Sequence, residues 1–329
     1  MPFYRNILKQ AWSLTWRHKY LWWFGIFAAL LGNGGELEIL FNNKSSVNPG
    51  QSLFPAWQRI MSTKVFSGQT LTNIGNLFRH DTLNIILVSA VILIALAIGL
   101  FLIWLVIVSQ GAIVNNSAAA IKQKKNAFRD GLEAGRLNFW PVLILNIIIK
   151  AVIYALLVII SLPVIFFRGD FNANLFYILA LVPAVPAAII LSFIMKYAVA
   201  YAVINKSKVA PAIRQSWRLF KENWLISFEL AFILFFINLL FGLAIVLALL
   251  TLAVPFLFLG LIFYYTFSLV GSWLIASLAL ASFLFIVAAA GAALAVFQIA
   301  AWTGLFLELN KKSVSTSKLV RVVNNLVKA

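Results

Sequence analysis

Six stretches of this chain, residues 20–32, 83–108, 140–167, 175–204, 224–252 and 273–307, are almost continuously apolar. That feature decides the solvent. A hydrocarbon core of about 30 Å needs roughly 20 apolar residues in helical conformation, and most of the six exceed that length. Their apolar residues run on without alternating, and most of the runs far exceed the ~9–11 residues of a barrel strand, so helix rather than sheet is expected. Composition agrees. Hydrophobic residues make up 63% of the chain and charged residues 11%, against about 45–50% and 25% in soluble domains. The expected fold is all-α, a polytopic transmembrane bundle of six spans.

The first run is the shortest, with about a dozen apolar residues between Lys19 and the Gly-rich turn at 32–35. Basic residues precede it, as in a secretory signal. However, the polar lead is long, Trp22 and Trp23 open the run, and no A-x-A site precedes Glu36, so it reads as a retained first span.

Orientation follows from the cations. The chain carries 26 Lys+Arg against 9 Asp+Glu, a net charge of +17. Most of the cations fall in four clusters. Arg5, Lys9, Arg17 and Lys19 precede the first run. Lys122, Lys124, Lys125, Arg129 and Arg136 lie in 120–139, and Lys206, Lys208, Arg214, Arg218 and Lys221 in 205–223. Lys311, Lys312, Lys318, Arg321 and Lys328 follow residue 309. With six spans every cluster faces one side, and the positive-inside bias makes that side cytoplasmic. Both termini are then cytoplasmic, and the expected location is a plasma membrane, multi-pass, of bacterial type. Charges placed this way serve topology, and nucleic acid is not an expected partner. The stretch 253–272 is apolar too, but a seventh crossing would invert the tail. It is expected to form an outer-face loop or half-buried element, broken by Pro255, Gly260 and Gly271.

An internal repeat accompanies the basic clusters. At a constant offset of 85, Phe128, Arg129, Leu132, Arg136, Asn138 and Phe139 match Ile213, Arg214, Trp217, Lys221, Asn223 and Trp224. A weaker third copy begins with Leu8, Lys9 and Trp12. Apolar positions at i, i+4, i+7 and i+11, with cations opposite, describe a helix lying in the headgroup plane. Residues 1–309 therefore read as one membrane domain of three units, about 1–120, 121–205 and 206–309. Each unit is a cytoplasmic amphipathic helix leading into a two-span hairpin. A polar outer loop covers 33–81, within which Phe54, Trp57 and Met61 suit a short helix on the outer leaflet. Residues 310–329 form a basic amphipathic tail. The expected partners are membrane lipids, through anionic inner-leaflet headgroups at Lys9, Arg129, Arg136, Arg214, Lys221, Lys318 and Arg321.

Ionisable and amide side chains inside a span are costly and therefore candidates for function. Lys150 sits near mid-depth of the third run, one turn after Asn146. Lys196 and Glu229 lie about 13 Å and 8 Å from the inner edge of the fourth and fifth runs at about 1.5 Å rise per residue, close enough to meet. Three arrangements are open: an ion pair locking two spans; a polar layer of Lys150, Asn146, Lys196, Glu229, Asn238 and Gln298; or lysines snorkelling to the interface. Pro183 and Pro186 are expected to kink the fourth span, and the small residues 288–293 of the sixth suit close helix packing.

The chain has no cysteine and two histidines, His18 and His80, far apart. No hydrolase, zinc-peptidase or nucleotide-loop signature appears, and nine acids spread over 329 residues leave little for acid–base chemistry. The chain reads as non-enzymatic, without cofactor or metal.

Residues 110–143 (QGAIVNNSAAAIKQKKNAFRDGLEAGRLNFWPVL) and 201–224 (YAVINKSKVAPAIRQSWRLFKENW) carry a resemblance. In both, a basic loop and an amphipathic helix lead into a span. The pattern, over about 85–309, resembles uncharacterised multi-pass bacterial membrane proteins, and in particular the membrane domain attached to some glycerophosphodiester phosphodiesterases. The catalytic domain of that family has no counterpart in this chain, so the resemblance implies a membrane architecture and no hydrolase activity. The expected role is that of a scaffold, regulator or lipid-associated accessory factor; the alternative is a small transporter or channel-like protein using the polar layer.

Overall fold

A computed structural model describes residues 2–30, 82–124, 126–166, 171–266 and 269–311. Every regular element among them is a helix: α1 (Pro2–Arg17), α2 (Leu21–Ala29), α3 (Thr82–Ile121), α4 (Phe128–Leu137), α5 (Phe139–Phe166), α6 (Phe171–Ile204), α7 (Val209–Glu222), α8 (Trp224–Tyr265) and α9 (Leu269–Asn310). Five of these, α3, α5, α6, α8 and α9, are long and apolar enough to cross a membrane. The expectations for the loop 33–81 and for the tail beyond Lys311, including Lys318 and Arg321, fall outside the described residues.

The first run forms α2, nine residues long and about 14 Å at the helical rise. It is not among the five helices of spanning length. A second difference concerns 253–272. Residues 253–265 continue α8 through Pro255 and Gly260, and α9 is already under way at Leu269. The expected break does not occur. Each arm of this hairpin has 42 residues, about 63 Å. In an apolar medium an unpaired backbone group costs several kcal/mol, so losing the single N–H of Pro255 is cheaper than opening the helix. Pro183 and Pro186 likewise lie inside α6.

The chain divides into two compact units. The first holds α1, α2, α4, α7, α8 and α9, with the ends of α3 (from Val106) and α6 (from Phe193) and the start of α5 (to Leu145). Its core centres on the last turns of α9, where Ala292, Val296, Ala300, Ala301, Leu305 and Phe306 are almost wholly buried. Around this stretch pack α1, α2 and α8. Small residues set the approach. A Cβ on Gly25 of α2 would stand 2.4 Å from the carbonyl oxygen of Ala292, so the small-residue stretch 288–293 does receive a helix. The remainder of α8 and α9, from about 235 to 291, exposes mainly apolar side chains. The second unit holds 82–105 of α3 and the stretches of α5 and α6 between 146 and 192.

The three short helices α1, α4 and α7 share one buried register. In α4 the buried residues are Gly131 and Gly135; at the offset of 85 they correspond to Ser216 and Phe220, both buried in α7. The Leu8–Phe128 match sets an offset of 120 for α1, which aligns Ala11 and Thr15, also buried. Each helix then stops at an equivalent residue. The backbone N–H groups of His18, Asn138 and Asn223 bond to the carbonyls of Leu14, Ala134 and Leu219 at 3.0–3.1 Å. The amides of Asn138 and Asn223 also cap those carbonyls, at 2.8 and 3.1 Å. Asn suits this position because its short side chain can replace a lost helical donor. At the matched positions the protein-facing residues are small in α1 and α4 (Ala11, Thr15, Gly131 and Gly135), whereas α7 sets Ser216 beside Phe220; Trp12, Phe128 and Trp217 remain exposed. Phe220, expected on the same face as Trp217, belongs instead to the packed stripe.

Candidate functional site

The polar groups of the first unit gather around the ends of the helices that adjoin the basic clusters. Glu229, in the second turn of α8, accepts a hydrogen bond from the phenol of Tyr4. Tyr4 is buried, so this bond ties the start of α1 to α8. Lys196 on α6 lays its ammonium over the indole of Trp302, 4.7 Å from the ring centroid, with Phe193 at 5.7 Å. A desolvated cation over tryptophan gains up to about 2 kcal/mol. One residue further, Tyr197 is fully buried and shares a 2.7 Å hydrogen bond with Ser227 of α8. Ser227 in turn donates to the carbonyl of Asn223 at 3.0 Å, at the α7–α8 corner. Asn238 and Gln298 meet across the α8–α9 hairpin, the Gln298 amide donating to Oδ1 of Asn238 at 2.8 Å.

Of the expected polar layer, the structure thus joins Asn238 to Gln298 and gives Lys196 and Glu229 the partners just named. Asn146, buried, and Lys150, half-buried, belong to the second unit. Tyr4, Tyr197 and Ser227 were not anticipated. A hydroxyl in an apolar segment must find a partner, which marks Tyr197 and Ser227 as a class but not as a pair.

A second polar node joins α2, α3 and α4. Tyr20 donates to the side-chain oxygen of Asn126 at 3.1 Å, and the Asn126 amide donates to the carbonyl of Asn116 at 2.8 Å. Asn116 is fully buried against Gly131. Asp130 accepts the N–H of Ala127 at 2.8 Å, satisfying a free donor of the first turn and complementing the positive end of the α4 dipole. Burial of the Tyr20 phenol, and secondly the charge of Asp130, raise its pKa above the ordinary tyrosine value. Phe24 stacks on Phe128 with ring centroids 4.6 Å apart.

The cationic residues expected at a lipid surface, Lys9, Arg129, Arg136, Arg214 and Lys221, are all exposed. Lys9 also lines a cleft of about 380 Å³ between α1 and the last turn of α3, with Gln10, Ser13, Arg17, His18 and Gln123. Among the described residues no group of three or more His, Asp or Glu could hold a metal ion. No protein family, curated protein or solved structure matches this chain.

Proposed function

We propose that this chain is a non-enzymatic multi-pass protein of the plasma membrane that holds anionic lipid at the cytoplasmic face and serves as a scaffold, regulator or lipid-associated accessory factor. In this reading it consists of three units, about 1–120, 121–205 and 206–309. Each is an interfacial helix (α1, α4 or α7) followed by an apolar hairpin, with both termini inside. The sixth crossing is assigned to the first apolar run, of which α2 is the described part. The observation that carries the reading is the shared register. All three helices turn equivalent small or buried residues inward and leave Lys/Arg and, in α1 and α7, tryptophan outward. That is the pattern of a helix seated at the headgroups, with indoles at the boundary and cations toward anionic lipid.

The test has two parts. The native chain has no cysteine, so single cysteines at Ser13, Ser207 and Thr266 can be labelled without background. Ser13 and Ser207 should react from the cytoplasmic side and Thr266 from the other; opposite sides for Ser13 and Ser207 would refute the arrangement. In reconstituted vesicles, brominated phosphatidylglycerol should quench tryptophan fluorescence more strongly than brominated phosphatidylcholine at equal mole fraction. Equal quenching would refute the lipid preference.

A second reading, a small transporter or channel, is favoured by one observation, the run of polar partners Asn238–Gln298 and Tyr197–Ser227 within apolar helices. It requires reconstituted vesicles to pass ions, and Lys150→Leu with Glu229→Leu to abolish that flux.

A further inference from the structure

We infer that the cleft between α1 and the end of α3 is a binding site for a phosphoryl group, carried by an anionic phospholipid or as free phosphate. The inference deepens the proposed inner-leaflet role and rests on that reading for its lipid source. Lys9, Ser13 and Arg17 follow one line along α1 at i, i+4 and i+8, with Gln10 beside them, and His18 closes the end. Gln123 faces them from the opposite wall. Its backbone is left-handed, φ 55°, and the N–H of Lys124 bonds to the carbonyl of Ala119 at 2.9 Å. This is the bond that closes a helix ending in a left-handed residue. That closure fixes Gln123 at the cleft and places Lys122 and Lys124, both exposed, immediately on either side of it.

The chemistry of the lining selects the ligand. Among the described lining residues none is acidic; two are cationic and the rest of the polar ones can donate hydrogen bonds. A guanidinium offers paired donors to two phosphoryl oxygens, an ammonium supplies a point charge, and amide and hydroxyl donors complete the shell. The volume of about 380 Å³ falls within the range of small-molecule sites, roughly 300–1,000 Å³, and admits a phosphoryl group with its glycerol. Trp12 and Trp16 precede Ser13 and Arg17 by one residue, about 100° around the helix, and both are exposed. Acyl chains can lie over these indoles while the headgroup enters the cleft. That arrangement favours the lipid as the source.

The experiment uses the full chain purified in neutral detergent. Native mass spectrometry follows phosphatidic acid, phosphatidylglycerol and phosphatidylcholine, and a thermal-shift titration follows inorganic phosphate. The cleft variant is Lys9→Gln with Arg17→Gln; the comparison variant is Lys206→Gln with Lys208→Gln, in the turn before α7 and outside the cleft. All four side chains are exposed, so both variants keep the packed core. We expect one tightly held phosphatidic acid or phosphatidylglycerol per chain, weakened about tenfold for each cleft residue removed and unchanged in the comparison variant. Loss of the lipid adduct confined to the cleft variant assigns the headgroup. Loss of a phosphate-induced shift confined to that variant assigns free phosphate. Equal loss in both variants, or none in either, overturns the site. If anionic quenching in vesicles persists while the cleft variant binds normally, the cleft fails alone. If anionic preference is absent from the unmodified chain, the inner-leaflet reading fails as well.

Discussion

Replacing Gly135 by alanine tests the close seating of α4 on α3. A Cβ at Gly135 would stand 2.2 Å from the carbonyl oxygen of Val108 and 3.0 Å from its carbonyl carbon, while Gly111 backs onto Gly135 from the same helix. The contact is with backbone, so no rotamer change relieves it, and the helices must part by about an ångström to restore ordinary contact. Overpacking of this kind costs about 1–3 kcal/mol, and a rigid backbone partner places it at the upper end. Alanine also returns about 1 kcal/mol of helix propensity, which leaves a net loss of about 2 kcal/mol. Gly242 provides the reference, because nothing lies within 4 Å of the Cβ built there. There Gly→Ala gains the propensity term alone. The difference between the two variants isolates the clash at about 3 kcal/mol. Unfolding in a mixed-micelle titration, read by far-UV circular dichroism, measures it. A Gly135→Ala protein at least as stable as Gly242→Ala would refute the α3–α4 packing described above.

Gln123→Gly should raise stability by about 1 kcal/mol, because a left-handed residue with a side chain carries a strain that glycine lacks; Lys206→Gly, at φ 51°, should behave alike, both read from thermal unfolding. Tyr20→Phe should cost about 1 kcal/mol through its bond to Asn126. The raised Tyr20 pKa means that the folded state favours the neutral phenol. Its contribution is therefore complete below the ordinary tyrosine value near 10 and is lost as pH rises through the higher folded value. The native protein should lose stability more steeply than Tyr20→Phe above that pH, and parallel pH profiles would refute the assignment. Asn238→Leu should destabilise by about 1–3 kcal/mol by leaving the Gln298 amide without its partner, and the double change with Gln298→Leu should recover part of that loss in a double-mutant cycle.

Much of the helical layout follows from the apolar runs themselves, because in lipid every backbone group has to be satisfied within its own segment. Asn138 and Asn223 were legible as matched positions of the repeat, but the single helical face read through Phe139 and Trp224 is broken there, each Asn amide capping a helix end. The faces were not. In water the large apolar stripe of a short helix turns toward the protein. In α4 and α7 the stripe packed against protein sets Gly131, Gly135, Ala212 and Ser216 beside Leu219 and Phe220, while Trp217 stays outside and Phe128 is covered on one side only, by Phe24. Hydrocarbon accepts large apolar side chains at no cost, so close contact rather than apolarity decides which side faces the protein. The polar pairs escaped for a related reason. Tyr4–Glu229 and Tyr197–Ser227 depend on which helices adjoin, and spacing along one chain carries no such information.

The misreading of 253–272 has the same origin and a consequence for the membrane. Proline and glycine punctuate helices where water can take over the freed carbonyls; in an apolar segment that relief is missing, and α8 runs on through Pro255. No charged side chain occurs between Glu229 and Glu308, so nothing along either 42-residue arm marks an exit from lipid. An arm of about 63 Å is roughly twice the hydrocarbon thickness of about 30 Å. Tilt within the usual range of up to about 40° lengthens the apolar path only to about 39 Å. The surplus therefore has to leave the hydrocarbon core or be covered. Tyr264, Tyr265 and Trp273, all exposed at the hairpin tip, are residue types that favour an interface, whereas the stretch between them and the packed base has no such anchor. Truncating both arms by two turns, removing 250–256 from α8 and 277–283 from α9, should thus leave the base of the bundle folded. Its circular dichroism per residue and the Tyr197–Ser227 contact, monitored by Tyr197→Phe as a stability difference of about 1 kcal/mol, should be retained. Collapse of the shortened chain would show that the distal arms, despite their exposure, are needed to hold the core together.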